Sequence, residues 1–286
     1  MTRSAVAPSD LLPRSLVWAT SIDVLGADRI VERRSDHLVI RSPGNPDYYW
    51  GNFLLFEDAP RRGDLALWES AFADAFGDEP RVRHRTFAWD RLDGRLGAAR
   101  TELEANGYAI DETVGLVAKP TDLRSHSREN RDVTIAALDP FGDETLWDAV
   151  VELNVETREP EHDEDGYRTF SRARQRELRE LFRAGLGTWY VALDPANGQV
   201  VATCGIVVTA GRGRYQSVVT ASAHRRRGIC SRLVVDAARL SSAAFGTEHF
   251  VIAAEVGYHA LGLYESLGFR PRERVAGALL MPVQGP

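Results

Sequence analysis

Along the second half of the chain, apolar and polar positions alternate in short runs whose period switches between that of a strand and that of a helix. Val133–Leu138 reads as a strand, and Glu144–Asn154 carries Leu146, Val150, Val151 and Leu153 at helical spacing. After the acidic stretch Glu156–Asp165, a second helix is predicted from about Tyr167 to Ala184, with Leu178, Leu181 and Phe182 on one face. Three strands follow at Trp189–Leu193, Val200–Thr209 and Arg214–Thr220. The segments between them, Asp194–Gly198 and Ala210–Gly213, are the glycine-bearing turns of antiparallel hairpins. A helix over Gly228–Ser242, a strand at His249–Ala254, a helix at Tyr258–Leu267 and a last strand pair around Phe269–Met281 complete the order βααβββαβαββ. Strand and helix alternating at its end place a parallel crossover beside an antiparallel meander, so the fold class is α/β with a mixed sheet.

The first half carries echoes of the second. Leu103-Glu-Ala-Asn-Gly107-Tyr108, followed by a strand through Val114, mirrors Tyr264-Glu-Ser-Leu-Gly268-Phe269, followed by Val275, at a constant offset of 161 residues. Upstream, Tyr48–Glu57 followed by Pro60-Arg-Arg-Gly63-Asp-Leu65 resembles the strand Arg214–Thr220 followed by Arg226-Arg-Gly228-Ile229. The N-terminal half therefore reads as a shortened, drifted copy of the C-terminal half. Between them, the polar run Lys119–Asp132, with Pro120, Ser125 and Ser127, reads as a linker and sets two domains, 1–125 and 126–286.

Composition narrows the function. The 286 residues suffice for two cores. No apolar run approaches the length of a membrane span, and the first residues lack the apolar core of a secretory signal. With only Cys204 and Cys230 there is no disulfide framework, so a reducing cytoplasm is the expected setting. A net charge of -6 argues against the basic face of a nucleic-acid binder. No metal site is read, and no residue pattern speaks to oligomeric state.

The segment Arg225-Arg226-Arg227-Gly228-Ile229-Cys230-Ser231, between a strand and an amphipathic helix, carries the strongest chemical signal. A helix start leaves backbone N–H groups unpaired and adds partial positive charge, so an anion can be held by main chain alone. Gly228 tolerates a positive φ and lets backbone approach a phosphate, while the arginines add forked donors.

This segment resembles the cofactor loop of the GNAT superfamily of N-acetyltransferases, Q/R-x-x-G-x-G/A, with Cys230 in place of the final small residue. Ala260-Leu-Gly-Leu263-Tyr264-Glu-Ser-Leu-Gly268-Phe269 resembles the same family's A-x-x-L-Y-x-x-x-G-F helix. The likeness follows the order of elements from Val133 to Met281. It implies the acyl-CoA N-acyltransferase fold, built as two tandem GNAT-like domains with the N-terminal one degenerate. It also implies a pantetheine arm lying between two splayed strands, against the backbone of Val218, Val219 and Thr220, with the pyrophosphate on Arg225–Ser231. Acetyl-CoA is the implied acyl donor, and the implied acceptor is the amine of a small molecule or peptide.

Transfer of an acetyl group to an amine needs a deprotonated nucleophile, a stabilised oxyanion and help for the departing thiolate. Tyr264 falls where the family places its general acid. A phenol with pKa near 10 can donate to a thiolate without being ionised at neutral pH. The strand Tyr215–Thr220 has no carboxylate to serve as base; Glu255 is the nearest alternative, and His259 titrates in a useful range. The family often has Asn where Gly257 stands here. The acidic run Glu156, Glu159, Glu161, Asp163, Glu164 and Asp165 occupies a connection that borders the acceptor site in the family, so Glu159 and Glu161 are expected to draw a cationic amine. In the N-terminal copy Leu103 replaces the tyrosine and Asp64 follows Gly63, which points to a scaffold; Trp50 in Tyr48–Phe53 is a candidate wall of the acceptor pocket. The leading reading is an acetyl-CoA-dependent N-acetyltransferase working in a ternary complex. The alternatives are transfer of another acyl group and a non-catalytic acyl-CoA sensor.

Overall fold

In the computed structural model, which describes residues 13–160, 162–257 and 259–282, the chain divides into two units. One takes the chain up to Gly115 and again from Glu273; the other is Leu116–Arg272. The division thus falls within two strands, β5 (Ala109–Ala118) and β11 (Arg270–Leu280). The polar run 119–132 lies wholly inside the second unit. No described helix is long and apolar enough to cross a membrane.

The first unit opens with α1 (Leu16–Asp23), whose N-cap Ser15 accepts from the Trp18 amide at 3.1 Å. Two carboxylates saturate this helix start. Asp90 accepts from the amides of Arg14 and Ser15 at 2.6 and 2.8 Å, and Glu273 accepts from those of Leu16 and Val17 at 3.2 and 2.6 Å. Negative charge there complements the helix dipole. An antiparallel run of β1 (Ile30–Arg33), β2 (His37–Arg41) and β3 (Phe53–Phe56) follows, and α2 (Asp64–Phe76) crosses over to β4 (Arg85–Trp89), parallel to β3. Leu65, Trp68, Phe72 and Phe76 recur at helical spacing on α2 and are buried. Trp68 stacks on Phe56 at 3.8 Å and meets Phe87 edge-on at 5.5 Å. Burying each such ring stabilises by about 1.5–3 kcal/mol. α3 (Arg100–Ala105) and β5 complete the unit's own run, and the sheet order is β1-β2-β3-β4-β11-β5.

The second unit contains β6 (Thr134–Ala137), α4 (Glu144–Glu156), α5 (Glu164–Arg183), β7 (Gly187–Leu193), β8 (Val200–Thr209), β9 (Arg212–Thr220), α6 (Ile229–Phe245), β10 (His249–Glu255) and α7 (Leu261–Ser266). β7 to β9 form the antiparallel meander and β10 joins β9 in parallel, as the sequence predicts, while β6 adds antiparallel to β7. α6 buries Ile229, Leu233, Ala237 and Ser241 along one row.

The duplication is visible in the elements. α3 and α7 are both six residues long, and each is followed by a left-handed glycine, Gly107 at φ 84° and Gly268 at φ 106°. α2 and α6 are each preceded by one, Gly63 at φ 87° and Gly228 at φ 76°. The predicted final strand pair is instead the single eleven-residue β11. Gly277, which invites a turn there, is needed for close packing: a Cβ on it would lie 2.6 Å from the Trp50 ring. Likewise the predicted run Tyr48–Glu57 is a 3-10 turn at Tyr49–Gly51 followed by the shorter β3.

Candidate functional site

The site is built on a defect in β9. Ala202 and Thr203 of β8 pair with Thr220 and Val219, but Gly205 pairs with Gln216, so Ser217 and Val218 stand opposite one residue. This is a β-bulge, and Ser217 takes a left-handed φ of 44° to make it. On its other edge β9 pairs with β10 only where Arg212–Arg214 meet His249–Val251. Beyond that point the strands part around a cleft of ≈ 240 Å³ lined by Tyr215, Ser217, Val218, Ile252, Ala253, Ala254, Glu255 and Tyr264. A strand edge left without a partner is a template for an extended ligand.

The loop that follows β9 completes the site. A 3-10 turn at Ser222–His224 is anchored by Glu156, which accepts from the Ser222 amide at 3.1 Å. Arg225 sends its guanidinium back to the Thr220 carbonyl at 3.3 Å. Arg226 and Gly228 are both left-handed, at φ 59° and 76°, a backbone alternation that turns successive N–H groups toward one side. α6 starts with no side-chain cap, and among the described residues the amides of Arg226, Arg227 and Gly228 donate to no group. Arg225, Arg226 and Arg227 are exposed residues. Cys230 is half-buried, and desolvation pushes its thiol up to about 12, so it is a neutral group of the helix start. Ile229 and Ser231 are buried in the first turn.

Of the residues singled out in sequence, Val218 to Thr220 end β9, and Arg225 to Ser231 follow as the loop and the first turn of α6. Tyr264 and Glu255 face the same cleft as Val218. Tyr264 is buried, its ring 6.3 Å from that of Phe269; Glu255 is exposed at the end of β10. His259 is exposed just before α7. Tyr215 is pushed up by burial and donates to the Val234 carbonyl at 2.6 Å, which makes it part of the core beneath the cleft.

The acidic connection is largely committed to local structure. Asp163 caps α5 by accepting from the Gly166 amide at 2.7 Å. Glu164 pairs with Arg158 and Arg168 at 3.2 and 2.9 Å, and Asp165 pairs with Arg168 at 3.1 Å. Glu159 is exposed; Glu161 lies outside the described residues. Trp50 packs in the first unit, 5.5 Å from Trp18 and 6.1 Å from Phe53. Sequence reasoning missed the bulge at Ser217, since a left-handed serine leaves no compositional trace, and the anchoring role of Glu156.

The N-terminal counterpart of the loop is closed on itself. The Gly63 amide donates to the Glu102 carboxylate at 2.9 Å, and the Arg61 amide to that of Asp64 at 2.8 Å. Nor do β3 and β4 part. They stay paired through Phe56 and Trp89, and the Asp90 amide extends the ladder to the Phe56 carbonyl at 2.8 Å.

Residues 185–271 match the family described as the acetyltransferase (GNAT) domain. Among solved structures, the chain is similar to a functionally unknown conserved protein from Staphylococcus epidermidis, with a TM-score of 0.66 and 14% identity over 90% of this chain and 95% of that one. It is similar to a GCN5-related N-acetyltransferase from Kribbella flavida, with a TM-score of 0.59 and 16% identity over 90% of each chain. A tandem GNAT protein from the clavulanic acid biosynthesis pathway matches 97% of this chain and 92% of its own, with a TM-score of 0.55 and 13% identity. At such identities the likeness is one of fold, the acyl-CoA N-acyltransferase fold in tandem. No curated protein matches the chain in sequence.

Proposed function

We propose that this tandem member of the GNAT superfamily transfers an acetyl group from acetyl-CoA to an amine, using a single site in the unit Leu116–Arg272. The observation that carries the reading is a conjunction: β9, whose edge lines an open cleft toward β10, runs directly into the loop with uncapped amides at the start of α6, and Tyr264 lines that cleft. The loop suits a pyrophosphate, because free amides and three arginines meet there. The open edge of β9 suits the amide-bearing pantetheine arm, which would pair as a short extra strand.

In the reaction a neutral amine attacks the thioester carbonyl, and a backbone N–H at the Ser217–Val218 bulge stabilises the oxygen that gains charge. The C–S bond breaks as the tetrahedral adduct collapses, the Tyr264 hydroxyl gives its proton to the departing thiolate, and the proton that the attacking nitrogen sheds in becoming an amide restores the phenol. The amine must first lose a proton; Glu255, at the exposed end of β10, is the carboxylate lining the cleft and passes that proton to water. The acceptor is a small-molecule or peptide amine, and among the described residues of the acidic connection the exposed Glu159 is left to attract it.

A second reading, an acyl-CoA sensor without turnover, is favoured by one observation: β9 carries no carboxylate over the stretch that faces the cleft. Release of free thiol from acetyl-CoA in the presence of a mixed amine panel separates the two. Turnover supports the transferase; tight binding of CoA without turnover supports the sensor. Repeating the assay with propionyl-CoA tests the preference for acetyl.

A further inference from the structure

The polar run 119–132 has the composition of a free linker, yet it lies across the cofactor loop as a strap. At Gly228 a Cβ would overlap the Arg128 carbonyl oxygen and come within 2.8 Å of the Asn130 amide nitrogen, so strap and loop meet backbone to backbone. At Gly268, beyond α7, a Cβ would overlap the Asp122 carbonyl oxygen in the same way. The two glycines that punctuate the site's two helices are thus also where the strap passes.

Asn130 makes the strap's specific contacts. Its backbone N–H donates to the Gly228 carbonyl at 3.0 Å, and its side-chain Nδ2 donates to the Arg227 carbonyl at 3.2 Å. Its Oδ1 accepts from the amides of Asp132 and Val133 at 3.0 and 3.1 Å, which fixes the side chain and leads the strap into β6. In a trans peptide the C=O and N–H point in opposite directions. Holding the Arg227 carbonyl toward the strap therefore aims the Gly228 N–H away from it, and holding the Gly228 carbonyl does the same for the Ile229 N–H. These are two of the amides at the uncapped start of α6.

We propose that Asn130 is a positioning residue for the cofactor loop: it grips two consecutive peptide groups from behind so that their amides face the pyrophosphate of CoA. The inference rests on the loop being the CoA site. Preorganising two donors removes an ordering cost that binding would otherwise bear. The contribution should appear in affinity for ligands with a pyrophosphate and vanish for those without one.

The test compares CoA with pantetheine, which keeps the thiol arm and lacks the pyrophosphate, by calorimetry on the full chain. Asn130→Ala removes both side-chain roles. Asn130→Ser retains a hydroxyl that can accept from the Asp132 and Val133 amides while losing the donor to Arg227, so it guards against a variant that fails to fold. Loss of one oriented hydrogen bond corresponds to roughly a 3- to 10-fold weakening. Both variants should bind CoA weaker by about that factor and bind pantetheine as the wild type does. Their kcat at saturating acetyl-CoA should be unchanged, so that any effect lies in KM. Equal loss for both ligands would reduce Asn130 to a general structural role, and unchanged CoA affinity would also overturn the proposal. A wild-type chain that binds no CoA would instead overturn the assignment of the loop itself.

Discussion

The Glu102 carboxylate accepts from the Gly63 amide at 2.9 Å, in the N-terminal counterpart of the loop whose Gly228 amide has no acceptor among the described residues. The first half thus fills its own anion position with a side chain, and its strands β3 and β4 stay paired where β9 and β10 part. A CoA titration followed by calorimetry should give one site per chain. Glu102→Gln should leave that number at one, since removing the internal anion does not open the strands. Two sites in either protein would contradict the closed-copy reading.

Tyr264 is held between the cleft and the Phe269 ring, so Tyr264→Phe keeps the packing and removes only the hydroxyl. Proton donation matters as the thiolate leaves, not as the thioester binds. Turnover should fall by about 10²-fold, the lower end of general acid contributions, with the Kd for acetyl-CoA within about twofold of wild type. A rate unchanged when chemistry is limiting would remove Tyr264 from the mechanism.

Gly268→Ala should destabilise the chain more than an ordinary surface substitution. Its φ of 106° strains any side chain, and the new methyl would displace the Asp122 carbonyl of the strap. Strain of this kind costs about 1–3 kcal/mol, which for a chain of this size lowers Tm by about 2–12 °C. Thermal unfolding checks it, and a Tm within about 1 °C of wild type would show that the strap yields freely there.

Much of this arrangement was legible because the signals are local. β8 spans the predicted Val200–Thr209, and α7 with Gly268 stands where the repeat places it, since a hydrophobic period and a turn glycine act over a few residues. What escaped depends on partners distant in the chain. Glu102 is an ordinary helix residue until Gly63 meets it, 39 positions away. Asn130 is one polar residue among many until it reaches Arg227, 97 positions on. The strand ending at Leu280 pairs with β4 rather than folding back, because Gly277 makes room for Trp50.

Cys230 allows a sharper statement about mechanism. It sits in the first turn of α6, where a lowered pKa would make a cysteine an acyl-accepting nucleophile. Desolvation instead pushes its thiol up to about 12, which keeps it protonated at pH 8. Direct attack by the amine, as proposed, requires no covalent acyl-enzyme at this residue. Cys230→Ala should retain kcat/KM within about twofold. Native protein should react with iodoacetamide at pH 8 far more slowly than protein in urea. The same shift has a signed consequence for stability. The unfolded thiol ionises near pH 8.5 while the folded one resists until about 12, so the folded state is relatively weakened as pH rises through that window and unaffected below it. Cys230→Ala should flatten part of that alkaline limb, leaving the part due to Cys204, whose thiol burial also raises. Rapid alkylation of Cys230 in the folded chain, or loss of activity in the alanine variant, would instead favour a covalent route through the sulfur.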